Sequence, residues 1–381
     1  AEPRPLAFYG KIYPEWLVQR YGSPSAQGAE VGNMGTLRND ATTLAKAASA
    51  KADTSDHEWA NSYVGVRGDF PGERFSFGYD LQALIDLQGN LIDNLRTRDA
   101  FVYAETPVLG RLAVGRMDSI YKEYGDRVRM FGISSGNVVS TGKLLSGVGW
   151  RGKGGTSFHN RNSNMVGWYG PSWGGVRLAA SHSFDAAQSG PGRKARLSAA
   201  ALSWHSGPWF AALATELHRD WLPMSLGDLD AAPAPASILN RAASASSRDQ
   251  AWRLSFAWSE GRWRVGADWS RLRYTETDSV DLPGKFRRYT NATWQLSTEY
   301  RWSRDLRLAA NHARGSAGQC RLSADAACST EGLAGPQTSL GVMYRVAPST
   351  SLFALAVHYG NGAAAHYGSA PQGGSVRAYA A

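Results

Sequence analysis

The feature that most restricts what this chain can fold into is a strict alternation of apolar and polar residues, repeated many times. Trp252, Leu254, Phe256 and Trp258 are separated by Arg253, Ser255 and Ala257. After Glu260-Gly261 the pattern resumes, with Trp263, Val265, Ala267 and Trp269 against Arg264, Gly266, Asp268 and Ser270. It returns at Trp294, Leu296, Thr298, Tyr300 and Trp302, and again at Leu340, Val342, Tyr344 and Val346. A period of two puts neighbouring side chains on opposite faces of an extended strand, so every such segment has one greasy and one polar face. In a soluble sandwich the greasy face would turn inward. Two details argue for the reverse. Aromatic rings cluster at strand ends, as at Trp252 and Trp258, where they suit two lipid–water interfaces. The segments also run to about ten residues, the length that crosses a bilayer when tilted.

The spacing of turns extends this reading to the whole chain. Seven tight-turn signals stand at 70–73, 107–110, 171–175, 206–208, 259–261, 303–305 and 347–350. Longer polar segments alternate with them, at 22–57, 87–96, 118–160, 185–194, 219–249, 275–290, 313–335 and 361–372. Seven hairpins supply fourteen strands, and residues 6–21 and 374–381 bring the total to sixteen. An even number of antiparallel strands, with short turns at one rim and long loops at the other, is the layout of an outer-membrane barrel. Closure is required there, because an open sheet edge in lipid would leave backbone groups unpaired. The expected fold is therefore all-β: a single domain over 1–381 forming a 16-stranded antiparallel transmembrane β-barrel.

Composition narrows the function. The chain carries 14 Trp, 16 Tyr and 12 Phe with a charged fraction of only 19%. Its net charge of +9 points to anionic partners: lipopolysaccharide, phosphate or anionic solutes. Lys and Arg are spread along the chain rather than gathered in a block, so nucleic acid is not an expected partner. No run approaches the ~18 apolar residues of a membrane-spanning helix. The opening Ala1-Glu2-Pro3 matches the start expected of an exported protein after cleavage of its signal behind a small residue. Cys320 and Cys328 lie close together in a polar segment and are read as a loop-closing disulfide. No metal site or cofactor is expected. Gly132-Ile-Ser134-Ser-Gly136 satisfies the G-x-S-x-G pattern, but its flanks lack the strand, turn and helix that such a nucleophile needs.

Several segments also resemble one family. Phe8-Tyr9-Gly10-Lys11, Ser62-Tyr63-Val64-Gly65-Val66-Arg67-Gly68-Asp69, Arg98-Asp99-Ala100-Phe101-Val102 and Arg161-Asn162-Ser163-Asn164 occur in an order and spacing that resemble the general trimeric porins of Gram-negative bacteria. The run from Thr338 to Tyr359 is similar to that family's penultimate hairpin. One departure is the ending Tyr379-Ala380-Ala381, where the family's last strand closes on an aromatic residue, so either the strand at 374–381 is shortened or closure differs here.

The resemblance implies an outer-membrane homotrimer that passes small hydrophilic solutes. It implies that the third long loop, 118–160, folds into the lumen opposite a ladder of cations. By resemblance the ladder maps to Lys11, Arg98 and Arg161; the fourth position is Tyr63 here, with Arg67 on the same face. The loop's Asp126 is joined by Arg127 and Arg129, so a net positive neck and a preference for anions are expected. Two other roles remain open: a barrel serving as a structural or interaction subunit, and a barrel hydrolase using strand histidines such as His182 or His312. The expectation is that the protein is not an enzyme.

Overall fold

The computed structural model describes residues 3–25, 50–59, 61–85, 96–133, 136–147, 158–186, 194–221, 246–277, 286–322, 327–328, 330–371 and 373–381. Its strands in chain order begin with β1 (Arg4–Lys11), β2 (Glu15–Tyr21), β3 (Thr54–Glu58), β4 (Tyr63–Phe70) and β5 (Ser76–Leu84). There follow β6 (Arg96–Thr106), β7 (Gly110–Asp118), β8 (Arg161–Tyr169), β9 (Val176–Ala186) and β10 (Ala195–Ser206). The longest come next: β11 (Trp209–Arg219), β12 (Ser246–Glu260), β13 (Trp263–Thr277), β14 (Phe286–Arg301) and β15 (Leu306–Gly315). Last are β16 (Gln319–Leu322), β17 (Ala327–Cys328), β18 (Gly335–Ala347), β19 (Thr350–Tyr359) and β20 (Val376–Ala380). Two short helices, α1 (Ile120–Asp126) and α2 (Gly142–Ser146), lie between β7 and β8.

All the strands belong to one antiparallel sheet. Each of the seven tight-turn signals joins two strands that pair as a hairpin, from β4–β5 through β18–β19. At two of these turns, Gly207 and Gly261 take φ of 53° and 57°. That left-handed region is open to glycine at no steric cost. The twenty strands reduce to sixteen wall strands on two counts. β1 with β2, and β3 with β4, are each one strand interrupted by a short break, and β16–β17 is a ribbon standing on the rim. The short strand β20 lies between β19 and β2, which returns the sheet to its first strand along the long-loop half. Along the other half β1 pairs with β4 and, among the described residues, with no other strand.

The sheet is inside out relative to a soluble protein. On β12, Trp252 is 43% and Leu254 53% exposed, while the intervening Arg253 is fully buried. Trp269, Trp294 and Leu296 continue the exposed band, and Asp268, Ser270, Gln295 and Ser297 stand buried on the other face. Strand periodicity thus turns the greasy residues outward and the polar ones toward the lumen.

Three sequence expectations need correction. The first long polar segment is shorter than 22–57, because Thr54–Glu58 extends the second wall strand. The segment 118–160, expected as a long polar loop, carries α1 and α2. The segment 313–335 holds the β16–β17 ribbon, in which Cys320 stands directly opposite Cys328 and is disulfide-bonded. On the early wall the outward residues are large. Phe8, Phe77 and Val102 are 80%, 54% and 58% exposed, and what this sector lacks is Trp between β4 and β7.

Candidate pore constriction

The chain between β7 and β8 lies against the inner wall of the later strands. Ser119 caps α1 by accepting from the Lys122 N–H at 3.2 Å. Ile120, Tyr121, Tyr124, Val128 and Phe158 pack on inward alanines of β9 to β12, among them Ala179, Ala199, Ala212 and Ala251. Small side chains on the lumen side make the space into which the loop's rings fit. Further along, Met130, Val139 and Leu145 join a second apolar cluster with Ala309, Ala313, Leu355 and Val357.

Polar anchors fix the loop's register. The inward row of β14 reads Asn291, Thr293, Gln295, Ser297 and Glu299, and each member touches the loop. Thr293 donates to the Leu145 carbonyl at 2.8 Å, and Ser297 to that of Val128 at 2.8 Å. Glu299 accepts from the Phe131 N–H at 2.7 Å, Gln295 accepts from Arg129 at 3.1 Å, and Asn291 reaches the Gly147 carbonyl at 3.5 Å. From β13, Arg264 donates to the carbonyls of Arg127 and Arg129 while pairing with Glu299 at 2.9 Å. Phe131, at φ 51°, is held in a left-handed turn by these contacts.

Beneath α1 lies the ion pair of Arg253 and Asp268, both side chains fully buried. The Arg253 Nε donates to the two carboxylate oxygens at 2.9 and 2.8 Å, and a second guanidinium N–H reinforces the contact. A Cβ at Gly125 would come within 1.8 Å of the guanidinium carbon, so the helix can rest there only because this residue is glycine.

The opposite wall carries the expected cations. Arg98 stacks over the Tyr63 ring at 4.4 Å and pairs with Asp99 at 2.8 Å. Arg161 pairs with Asp99 at 2.5 Å and Asp118 at 2.9 Å. Lys122 on α1 then bridges Asp118 at 2.7 Å and Asp126 at 2.6 Å. The result is a continuous chain of alternating charge from wall to loop, three cations against three carboxylates. Lys11 and Arg67 stand outside it. Lys11 lies 4.4 Å from the Tyr13 ring and Arg67 5.0 Å from the Tyr9 ring. Among the described residues neither makes an ion-pair contact with a carboxylate, although the charge of Glu15 acts on Lys11. A cavity of about 680 Å³ on the short-turn side of the chain is lined by Asp99, Phe101, Glu105, Asp118, Glu123 and Arg177.

The loop residues are sorted differently from their sequence order. Asp126 does not pair with Arg127; it binds Lys122, with Arg129 at 3.7 Å and His159 at 3.5 Å. Arg127 pairs with Glu123 at 3.7 Å and remains half-exposed. Arg129 does not line the lumen at all: it is 1% exposed, wedged between loop and wall against Thr141 and Gln295. Loss of hydration lowers its guanidinium to about 10. Sequence reasoning missed Asp99, Asp118 and Lys122 as the neutralising links, and the alternating inward Ala and polar residues of β9 to β14 were the available signal. Ser134 of the G-x-S-x-G motif lies outside the described residues, and the residues before it form a 3-10 turn, Met130–Gly132, instead of a strand.

A family model described as Gram-negative porin matches residues 22–364. No curated protein sequence matches the chain. Among solved structures, an anion-selective porin from Comamonas acidovorans is similar at TM-score 0.70 and 13% identity, covering 100% of this chain and 98% of that one. Outer-membrane expressed OmpT of Vibrio cholerae is similar at TM-score 0.60 and 10% identity, over 98% of this chain and 96% of that one. The outer membrane channel DcaP of Acinetobacter baumannii gives 0.59 and 11%, with the same coverage. A family match over nine-tenths of the sequence, an inverted barrel and an inward-folded loop agree: the chain belongs to the Gram-negative porin family and is an outer-membrane channel for passive diffusion of small hydrophilic solutes.

Proposed function

We propose that this porin prefers anions and that the preference rests on Lys11 and Arg67, two wall cations that form no carboxylate ion pair among the described residues. The carboxylates Asp99, Asp118 and Asp126 are each engaged by Arg98, Arg161 or Lys122, so the charge chain is close to neutral as a unit. What remains at the neck is positive. A unit charge in water is worth about 1 kcal/mol to an ion at 4 Å, and two such charges in a narrow lumen bias permeation severalfold. The similarity to a porin described as anion-selective supports the same reading. The test is the reversal potential of single channels in a KCl gradient. Chloride should be favoured, and Lys11→Gln with Arg67→Gln should reduce the chloride-to-potassium permeability ratio severalfold. A wild-type preference for potassium, or a double variant with an unchanged potential, would overturn the assignment.

The reading extends to a homotrimer. The outward face of β1 and β4 to β7 is apolar yet free of Trp, which suits burial against a second copy better than contact with a lipid interface. It also extends to the absence of an enzymatic role. His182 Nδ1 lies 2.8 Å from Ser198 Oγ, but among the described residues no carboxylate or amide is hydrogen-bonded to that ring in the manner a catalytic triad needs.

A further inference from the structure

Most apolar residues that face into the barrel are packed under the loop. One strip near the short-turn rim is only partly covered. There Arg307 of β15 stands directly opposite Met343 of β18, and Met343 directly opposite Phe353 of β19. All three lie on the inward face, two residues along from the buried Ala309, Gly341 and Leu355. The strip continues across the seam. Phe353 stacks on Tyr13 with ring centroids 4.6 Å apart, and Lys11 lies 4.4 Å from the Tyr13 ring. Tyr13 sits in the break between β1 and β2, where its backbone N–H donates to Ser62 Oγ at 2.8 Å.

The loop adds Phe131, whose ring lies 5.6 Å from the Arg307 guanidinium carbon. A Cβ at position 341 would come within 2.6 Å of that ring, so glycine on β18 is what lets Phe131 rest on the wall. Phe131, Met343, Phe353 and Tyr13 thus form an apolar patch between two cations, and all four stay partly open to the lumen. Neither closure of the barrel nor anchoring of the loop calls for open rings on a wall that is otherwise polar. Arg307 is similarly available. It donates to Met343 Sδ at 2.7 Å and stands 3.9 Å from the Glu299 carboxylate, which Arg264 already holds at 2.9 Å. Its side chain is 44% exposed, and the exposed Arg301 directly opposite on β14 adds positive charge beside it. Guanidinium N–H groups therefore remain free to face a solute carboxylate.

We propose that this strip is a solute subsite for small aromatic carboxylates, with Arg307 binding the carboxylate and Met343, Phe353 and Phe131 receiving the ring. Two strand spacings, about 10 Å, separate Arg307 from Phe353 along the wall, which leaves room for one ring and its carboxylate. The guanidinium fork meets the carboxylate with paired charge-assisted bonds. The ring gains offset or edge contacts with the phenylalanines and a sulfur contact with the methionine. Chloride and short aliphatic acids can use only the cation. The subsite deepens the anion preference stated above and rests on it, so the test separates the two.

Single-channel current would be recorded in KCl with benzoate, acetate or neutral benzamide added on the short-turn side, for the wild type, Arg307→Gln and Phe353→Leu. In the wild type, benzoate should half-block the current at a concentration about tenfold lower than acetate, and benzamide should not block over the same range. Phe353→Leu keeps the apolar volume without the ring. It should raise the half-blocking concentration of benzoate about threefold and leave that of acetate unchanged. Arg307→Gln should raise the benzoate value about fivefold or more. Equal block by benzoate and acetate in the wild type, equal block by benzamide, or an unshifted benzoate value in both variants overturns the proposal. Should a variant fail to insert, the comparison of the three solutes on the wild type still decides. The wild-type reversal potential without added solute checks selectivity separately. A preference for potassium defeats the selectivity reading, whereas a chloride preference with benzoate no better than acetate defeats this subsite alone.

Discussion

Arg253 and Asp268 lie inside the lumen wall with no exposure, covered by α1 and by the Tyr121 ring 5.4 Å from the guanidinium. Two ions held so far from water are tolerated because the geometry is bidentate and each neutralises the other. Removing one leaves the other buried and unpaired. Arg253→Met should therefore lower the unfolding free energy by about 3–5 kcal/mol, seen as a fall in the denaturation midpoint in detergent. Adding Asp268→Leu should recover most of that loss. At this scale the sequence revealed the residue types but not their roles. Arg253 reads as one more polar residue in an alternating strand, and Gly125 as an unremarked glycine beside Asp126. Only the close approach of helix to strand makes the pair an anchor and the glycine a requirement.

The inward row of β14 shows how a strand positions a loop. Alternation guarantees that Asn291, Thr293, Gln295, Ser297 and Glu299 share one face, so a single strand offers five polar groups to the end of α2, to Arg129 and Val128, and to the turn at Phe131. Each contact is worth about 1 kcal/mol, so the loop is held by several modest bonds plus its apolar face. His159 adds a pH dependence. Burial, aided by Lys122, Arg129 and Arg253, pushes its imidazole well below the ordinary 6.5, against the opposing pull of Asp118; the Asp126 carboxylate lies 3.5 Å from its Nε2. A base with a depressed folded-state pKa is neutral in the fold and gains a proton on release. The loop's stability is thus complete above about pH 6.5 and declines as the pH falls below it. Current noise and proteolysis of the loop should rise on acidification, and His159→Gln should flatten that dependence while leaving the neutral-pH conductance within about twofold, since the ring does not line the cavity. The length of this loop was legible from the sequence; its helices were not, because short helices of seven and five residues owe their stability to packing and not to propensity.

Across the whole molecule, the outward band sets the solvent the protein requires. Trp252, Trp269 and Trp294 are 43%, 45% and 42% exposed and would meet water in a soluble protein. In bilayers containing brominated lipids their fluorescence should be quenched strongly; unquenched indoles would contradict the inversion on which the fold depends. The Trp-free sector of β1 and β4 to β7 makes a further prediction. Light scattering in mild detergent should give a mass three times that of one chain, and Phe8→Glu, at a residue 80% exposed in the single chain, should shift the population toward monomer. A charged residue on such a surface costs about 1–3 kcal/mol through lost burial.

Alternation, aromatic placement and turn spacing determined the barrel, its strand number and its orientation toward lipid, because a period of two assigns every side chain to a face before any contact is made. The resemblance to porins, rather than alternation, pointed to Lys11, Arg98 and Arg161 as lumen cations, with Arg67 on the same face. It could not say which of them would keep an uncompensated charge. That was decided when the loop brought Asp118, Lys122 and Asp126 alongside Asp99 and Arg161, joining residues that lie far apart in the chain. Facing is a local property of the backbone, whereas the field in a pore is a sum over groups that only the tertiary structure brings within a few ångströms of each other.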